Sequence, residues 1–214
     1  MAILQNGNGS DDHSSNSNSL DIYPLNCYYF GSVEAVSPRD ETVADRVMRM
    51  RANYDAFGMR NCVAGVIVVE LFKHPHLLLL QIRNSIYKLP GGRLRPGESD
   101  IEGLKRKLAS KLSAGENGRG PEWEIGECLG KWWRPNFESL LYPYFPQNVE
   151  RPKECVKVFL LKLPPSRRFI VPRNSRLLAV PLCQLHEKDE IYGPVISGVP
   201  QLLRKVQGRK PREF

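Results

Sequence analysis

The stretch that decides the fold is Leu89–Ser113, which reads LPGGRLRPGESDIEGLKRKLASKLS. Its second half predicts an amphipathic helix over about 99–113, because apolar residues recur there at spacings of three and four. These apolar positions are Ile101, Leu104, Leu108 and Leu112. Ser99 and Glu102 form a capping-box pattern, which marks the start of the helix. The Pro-Gly-Gly sequence at 90–92 predicts a turn ahead of it.

The same stretch resembles the signature of the Nudix family, G-x5-E-x7-R-E-U-x-E-E-x-G-U, in which U is aliphatic. The positions that match are Gly92, Glu98, Arg106 and Leu108. In that family, glutamates on one helical face bind Mg²⁺ or Mn²⁺, which draws a substrate diphosphate towards an attacking water. The resemblance implies the Nudix-type α/β/α sandwich with a mixed β-sheet, and the intermixed strands and helices of the chain favour the same α/β class.

The three metal-binding glutamates of this signature are missing from the chain. Their positions hold Lys107, Ser110 and Lys111. An ammonium at about 5 Å repels a divalent cation by several kcal/mol at an effective dielectric of ~20. Glu98 alone leaves too few oxygen ligands for a catalytic metal. We therefore expect no metal, no cofactor and no enzyme, whether the lysines form a solvated basic face or one that now favours anions.

Composition and charge restrict the remaining possibilities. The 214 residues allow one well-buried domain with extensions, and the formal net charge of +8 favours a polyanion, either nucleic acid or an acidic protein face. Five scattered cysteines without a C-x-x-C pair predict reduced thiols. The N-terminus lacks a signal-peptide pattern, and no apolar run is long enough to cross a membrane, so we expect no membrane partner.

Local patterns divide the chain into four parts. They are a disordered polar tail (1–19), an N-terminal extension of a strand and a helix (20–60), a Nudix-like domain (61–206) and a basic C-terminal tail (207–214). Helices are expected at 41–57 and at about 200–206. Strands are expected within 22–30 and at 63–70, 77–82, 123–133, 156–163 and 177–181, with a turn at 73–76 and a loop at 115–120.

Several short sequences outside the helix indicate a more specific resemblance. They are Ile22–Leu25 (IYPL), Trp132–Glu138 (WWRPNFE), Tyr142–Tyr144 (YPY), Tyr192–Pro194 (YGP) and Pro200–Leu203 (PQLL). Together they resemble the small, 25 kDa class subunit of pre-mRNA cleavage factor Im, over residues 22–206. The resemblance implies a catalytically inactive nuclear homodimer of mRNA 3′-end processing. It also implies binding to UGUA elements upstream of poly(A) sites, to a larger subunit with an RNA-recognition domain, and to other 3′-end processing factors.

The resemblance also carries over site residues, position by position. The RNA-binding positions are Arg46, Ile86, Tyr87, Leu89, Tyr192 and Gly193. The positions that would bind the larger subunit are Tyr142, Tyr144 and Leu202. Without the resemblance, Arg46 would be interpreted as an exposed helix arginine. Tyr142 and Tyr144 would be interpreted as part of a surface loop that is held by aromatic packing.

Three RNA positions of the family differ in this chain. Pro38 and Ala64 stand where acidic residues are expected, and Ile86 replaces a stacking aromatic, a contact of roughly 1–3 kcal/mol per base. Basic residues of the same region could still hold phosphates; they are Arg83, Lys88, Arg93 and Arg95. Two alternatives to RNA recognition stay open. One is a dimeric scaffold for the larger subunit with weak or non-specific RNA binding, and the other is a residual nucleotide hydrolase or dinucleotide sensor.

Overall fold

The computed structural model describes residues 21–36, 42–82, 86–113 and 122–207. The expected polar tail, the loop at 115–120 and the basic tail from residue 208 lie outside these ranges, as do Pro38 and Arg83. No helix in the described ranges combines the length and the apolar character needed to span a bilayer.

The elements of the described residues alternate between strands and helices along the chain. The strands are β1 (Tyr28–Val33), β2 (Arg60–Val66), β3 (Val68–Leu71), β4 (His74–Ile82), β5 (Ile86–Lys88), β6 (Gly91–Arg93), β7 (Glu124–Arg134), β8 (Glu154–Lys162), β9 (Arg167–Pro172) and β10 (Ser175–Pro181). The α-helices are α1 (Val43–Phe57), α2 (Asp100–Leu112), α3 (Leu182–Leu185), α4 (Asp189–Tyr192), α5 (Pro194–Ser197) and α6 (Val199–Gln207).

The strands form one mixed sheet, one antiparallel sheet and one parallel pair. One has the order β6-β2-β8-β7, in which β2 and β8 are parallel and the outer pairs antiparallel. The second has the order β10-β4-β3. β3 pairs with the N-terminal part of β4, and β5 pairs with its C-terminal part along the same edge. A parallel pair, β1 with β9, lies beside them. The first ordered strand, β1, begins only at Tyr28, and β9 was not anticipated from the sequence.

β2 and β3 behave as one long strand with strict two-residue alternation. Val63, Ile67 and Val69 point to one side, where they pack with α2 and the β1–β9 pair; we call this side the α2 face. Ala64, Val66 and Val68 point to the other side, where they pack with α3, α5 and α6; we call it the α6 face. Because both faces of the strand are buried, the sequence at 63–69 is almost continuously apolar.

Each face carries its own hydrophobic core. On the α2 face, Leu104, Leu108 and Leu112 are fully buried against the sheet. On the α6 face, Trp132, Val199 and Leu203 take the same role. Burial of each such side chain contributes about 1.5–3 kcal/mol, so the two layers of helix hold the sheet between them. The expected α/β/α sandwich with a mixed sheet is confirmed.

Helix α2 begins as the sequence predicts. The Ser99 hydroxyl accepts a hydrogen bond from the Glu102 N–H (3.3 Å), and it donates to the Glu102 carboxylate (2.8 Å). Ile101, however, is 39% exposed and does not belong to the buried face. Periodicity identifies which face of a helix is apolar, but not how much of its length the sheet covers.

Helix α1 also lies where it was predicted, but its packing differs. Thr42 and Asp45 form a capping box at its start, and Gly58, with φ of 72°, follows its last residue. Met50 is its buried residue, whereas Val43 and Phe57 of the expected apolar face are exposed. The spacing of Val43, Val47, Met50, Tyr54 and Phe57 predicts one apolar face. Val47 and Tyr54 are half-buried, so this face is covered over the middle of the helix and exposed at both ends.

Two predicted turns are wrong. The first hairpin turns at Phe72 and Lys73, both with positive φ, and His74–His76 belong to β4. The Pro-Gly-Gly sequence leads into β6, which pairs with β2. A Cβ added at Gly91 would lie 2.1 Å from the Val63 carbonyl oxygen, so glycine permits a close strand contact here. The strands predicted at 123–133, 156–163 and 177–181 and the last helix are confirmed by β7, β8, β10 and α6.

Candidate nucleic-acid interface

Glu98, which precedes α2, is held in a two-point ion pair. Its carboxylate oxygens lie 2.6 Å from Nε and 2.6 Å from a terminal nitrogen of Arg106, and it accepts a third hydrogen bond from the Arg95 N–H (2.8 Å). The hydrogen bonds from Arg106 and then from Arg95 lower the pKa of Glu98 to about 2. This carboxylate is therefore ionised and already engaged in closing the loop onto the helix.

The three substituted positions of α2 offer no carboxylate. The side chain of Lys107 lies over β6, where a Cβ added at Gly92 would be 3.2 Å from its Cε. Ser110 is exposed, and burial lowers the pKa of the half-buried Lys111. Within the described ranges, no group of three or more His, Cys, Asp or Glu side chains is gathered as a metal site would require. The geometry offers a divalent cation a poor set of ligands.

Four of the six candidate RNA positions meet on the α6 face. Tyr87 on β5 and Tyr192 at the end of α4 place their ring centroids 4.9 Å apart at 56°. Leu89 packs with both against the α6-face core. Gly193 has φ of 79° and an open space around its Cα, so the chain turns there into α5 next to the two rings. We call Tyr87 and Tyr192 the tyrosine pair.

The other two positions stand apart from the tyrosine pair. Ile86 pairs with Ile82 of β4, so its side chain points to the α2 face, opposite to that of Tyr87. Arg46 is exposed on α1. Ala64, where the family resemblance leads one to expect glutamate, is buried on the α6 face, on the same side as the tyrosine pair. Position 64 therefore supplies no carboxylate on the α6 face, where the tyrosine pair lies.

Helix α1 is fixed by a cluster of aromatic and cationic side chains that the sequence did not reveal. Tyr54 meets Phe137 edge to face at 5.7 Å, and the Lys153 ammonium lies 4.0 Å from the Tyr54 ring centroid. Asn53, the residue before Tyr54, accepts a hydrogen bond from Arg93 (2.5 Å). Arg93 is therefore already tied to α1, which limits it as a phosphate ligand.

A buried carboxylate supports the WWRPNFE segment. Glu154 bridges Arg60 (3.0 Å) and Arg134 (2.8 Å), and accepts a hydrogen bond from the Cys62 thiol (3.3 Å). Burial opposes its ionisation, but the two guanidinium groups outweigh burial and lower the pKa of Glu154. Burial raises the pKa of Cys62 to about 12, so this thiol stays protonated. No sequence spacing could have shown this cluster, because its members come from three strands, β2, β7 and β8, that are far apart in the sequence.

The candidate partner residues lie on both sides of β7. Tyr142 exchanges two backbone hydrogen bonds with Trp133 (2.7 and 2.8 Å), and its ring lies 5.6 Å from that of Tyr144, which is 59% exposed. Leu202 of α6 is half-buried and packs against Gly130, on the α6 face. Trp133 points away from the α6 face, and Tyr142, its partner across the strand pair, points the same way. Tyr142 and Leu202 therefore lie on different sides of the sheet.

Comparison with known proteins agrees with the fold and extends it. A family model described as nucleotide hydrolase, NUDIX_2, matches residues 18–206. Among solved structures, the chain resembles the C. elegans Ap4A hydrolase with a TM-score of 0.41 and 18% identity, over 69% of this chain and 95% of that chain. The family match defines the class of the protein as a Nudix-type domain.

Curated relatives give a more specific result. The chain is 63% identical to pre-mRNA cleavage factor Im 25 kDa subunit 1 of Arabidopsis thaliana, over 87% of this chain and 84% of that protein. It is 49% identical to subunit 2 of the same plant, over 87% and 93%. It is 41% identical to cleavage and polyadenylation specificity factor subunit 5 of Dictyostelium discoideum, over the same shares. The chain therefore belongs to the family of 25 kDa subunits of pre-mRNA cleavage factor Im.

The ion pair of Glu98 predicts a specific acid sensitivity. Its pKa is lowered from 4.5 to about 2 in the folded protein. The pair therefore stabilises the fold fully above the unfolded value and loses this effect as pH falls towards 2. Between pH of about 6 and about 3, urea unfolding should show a larger fall in the free energy of unfolding for the native protein than for Glu98→Gln.

The matched control removes the partner. In an Arg106→Leu background, adding Glu98→Gln should change the acid sensitivity less than it does in the native background, because the ion pair is lost and only the Arg95 hydrogen bond still lowers the pKa of Glu98. If the native protein and the Glu98→Gln variant lose equal stability on acidification, the ion pair does not stabilise the loop that precedes α2.

Proposed function

We propose that the protein is the non-enzymatic RNA-binding subunit of cleavage factor Im, acting in the nucleus in pre-mRNA 3′-end cleavage and polyadenylation through UGUA-type elements. The observation that carries the proposal is the tyrosine pair, which joins four of the six expected RNA positions at one place on the α6 face. Both rings are half-buried against the α6-face core, and their solvent-accessible parts provide faces for base stacking. The formal net charge of +8 favours a polyanion.

The absence of catalysis follows from the chemistry of α2 and its preceding loop. Catalytic Nudix chemistry needs several hard oxygen ligands on one helical face. In their place the chain has two lysines and a serine, and the carboxylate of Glu98 is engaged by Arg106. A residual hydrolase would lack these metal ligands, so we set hydrolysis aside. The two lysines are compatible with metal-free binding of a dinucleotide, because cations attract its phosphates.

Few side chains near the tyrosine pair can distinguish one RNA sequence from another. The tyrosine pair can stack bases of any sequence, whereas base edges are read by hydrogen bonds. Ala64 offers no such group on the α6 face, and Ile86 points to the other face. We therefore propose that UGUA preference is modest and that phosphate contacts supply much of the affinity.

The proposed function includes assembly with a second copy of the chain and with other proteins. We propose that the protein acts as a homodimer, together with a larger subunit that carries an RNA-recognition domain and with other 3′-end processing factors. Two relatives are named as 25 kDa subunits of pre-mRNA cleavage factor Im, which supports membership of such a complex. A homodimer also places two tyrosine pairs in one particle, which raises the effective concentration of the second site once the first has bound RNA.

A second candidate function is a scaffold that binds the larger subunit and contributes little RNA affinity of its own. A specific observation favours it, namely a patch of exposed apolar side chains in the loop after β7. The patch consists of Leu140, Tyr142, Tyr144 and Phe145. Clustered tyrosines are enriched at protein interfaces, where they bury large areas at low entropic cost.

A binding titration tests the leading function. Fluorescence anisotropy should show tighter binding to an RNA with UGUA than to a scrambled RNA. Tyr192→Ala should weaken binding roughly 5- to 150-fold, as expected from one lost stacking contact of ~1–3 kcal/mol. The control Tyr29→Ala removes an exposed ring on β1 and should leave binding unchanged. Equal affinity for both RNAs would refute sequence recognition, and a steep salt dependence would then support backbone binding.

Co-purification tests the partner surface. Tyr142→Glu and Tyr144→Glu place charges in the exposed patch, so each should reduce recovery of the larger subunit by at least about tenfold, equivalent to ~1.4 kcal/mol. Phe72→Glu is the matched control, since Phe72 is a highly exposed aromatic residue at the tip of the β3–β4 hairpin. Undiminished recovery with both tyrosine variants would show that the patch is not the interface.

A further inference from the structure

Three side chains from three strands form a row beside the tyrosine pair. Gln81 of β4 pairs with Arg176 of β10 on one side and with Tyr87 of β5 on the other. Both pairings are antiparallel, so residues directly opposite one another send their side chains to the same face of the sheet. Arg176, Gln81 and Tyr87 therefore all point to one side.

That side is the α6 face. Tyr87 packs against the α6-face core, and the next pair along the same strands, Leu178 with Leu79, does the same. Adjacent strands lie about 4.8 Å apart, so Arg176 and Tyr87 are separated by roughly 10 Å across Gln81. The register thus brings an arginine from a distant part of the chain close to the tyrosine pair.

The guanidinium of Arg176 is available for a ligand. Arg176 is exposed, and none of the salt bridges or side-chain hydrogen bonds found within the described part of the chain involves it. An arginine offers five N–H donors in a planar fork that matches the oxygens of a phosphate. Proteins that bind single-stranded nucleic acid combine such cationic groups with aromatic rings for the bases.

The charges around the tyrosine pair are asymmetric. Asp189 and Glu190 are exposed in α4, in the same short helix as Tyr192. Their carboxylates disfavour a phosphate on the α4 side of the rings. Arg176 lies beyond Gln81 on β10, so an RNA strand whose base contacts Tyr87 gains a favourable backbone contact when it runs towards β10.

We infer that Arg176 binds a backbone phosphate of single-stranded RNA, and that the Tyr87–Gln81–Arg176 row extends the tyrosine pair into a groove across β5, β4 and β10. This inference rests on the proposed RNA-binding function and adds the direction in which the strand leaves the rings. The contact is with phosphate, so it adds affinity without reading sequence.

The test measures the salt dependence of RNA binding for Arg176→Ala in the full-length chain. Loss of one phosphate contact should reduce the slope of log K against log salt by about 0.7, and it should weaken binding to UGUA and scrambled RNA by the same factor. Arg176→Lys should retain most of the slope, since an ammonium also neutralises a phosphate. Arg173→Ala is the matched control, because it removes one exposed arginine from the same β9–β10 hairpin but lies outside the row.

The possible results distinguish a failure of the Arg176 inference from a failure of the proposed RNA-binding function. A native slope for Arg176→Ala, in a protein that binds RNA normally, would overturn the phosphate contact alone. An equal effect of Arg173→Ala would overturn it as well, since the attraction would then be a diffuse effect of net charge. Failure of the native protein to bind either RNA would overturn the proposed function together with the inference. An unchanged melting temperature for Arg176→Ala shows that the fold is intact.

Discussion

The alternation of side chains along the continuous strand at 60–71 is the constraint on which the rest of the structure depends. Odd positions such as Val63 and Val69 need a partner layer on the α2 face, and even positions such as Val66 need one on the α6 face. A shift of one residue would exchange the two sets. This constraint places the substituted Nudix helix on one face and the tyrosine pair on the other.

The separation of faces explains how a Nudix frame can lose its metal and keep its fold. Leu104, Leu108 and Leu112 hold α2 in place whatever its outer surface carries. Glu98 and Arg106 retain a structural role, since their ion pair closes the loop that enters the helix. The packing of α2 on the sheet therefore does not depend on the side chains at the metal positions.

Local sequence patterns predicted the parts of the fold that local interactions determine. The capping of α2 by Ser99 and the end of α1 before Gly58 follow from neighbouring residues, and both were confirmed. Strand β9 was missed because its partner β1 lies more than a hundred residues away. Alternation alone could have shown that Ile86 and Tyr87 point to opposite faces. The row that ends at Arg176 required the register between β4 and β10, which no spacing within either segment encodes.

We propose that this Nudix frame has exchanged metal-dependent hydrolysis for binding. The most direct measurement is turnover of dinucleoside polyphosphates by the purified protein in Mg²⁺ or Mn²⁺, beside the Glu98→Gln variant. We expect no turnover above the protein-free rate, because Lys107 and Lys111 replace metal ligands and Glu98 is bound to Arg106. Metal-dependent turnover that Glu98→Gln abolishes would contradict it.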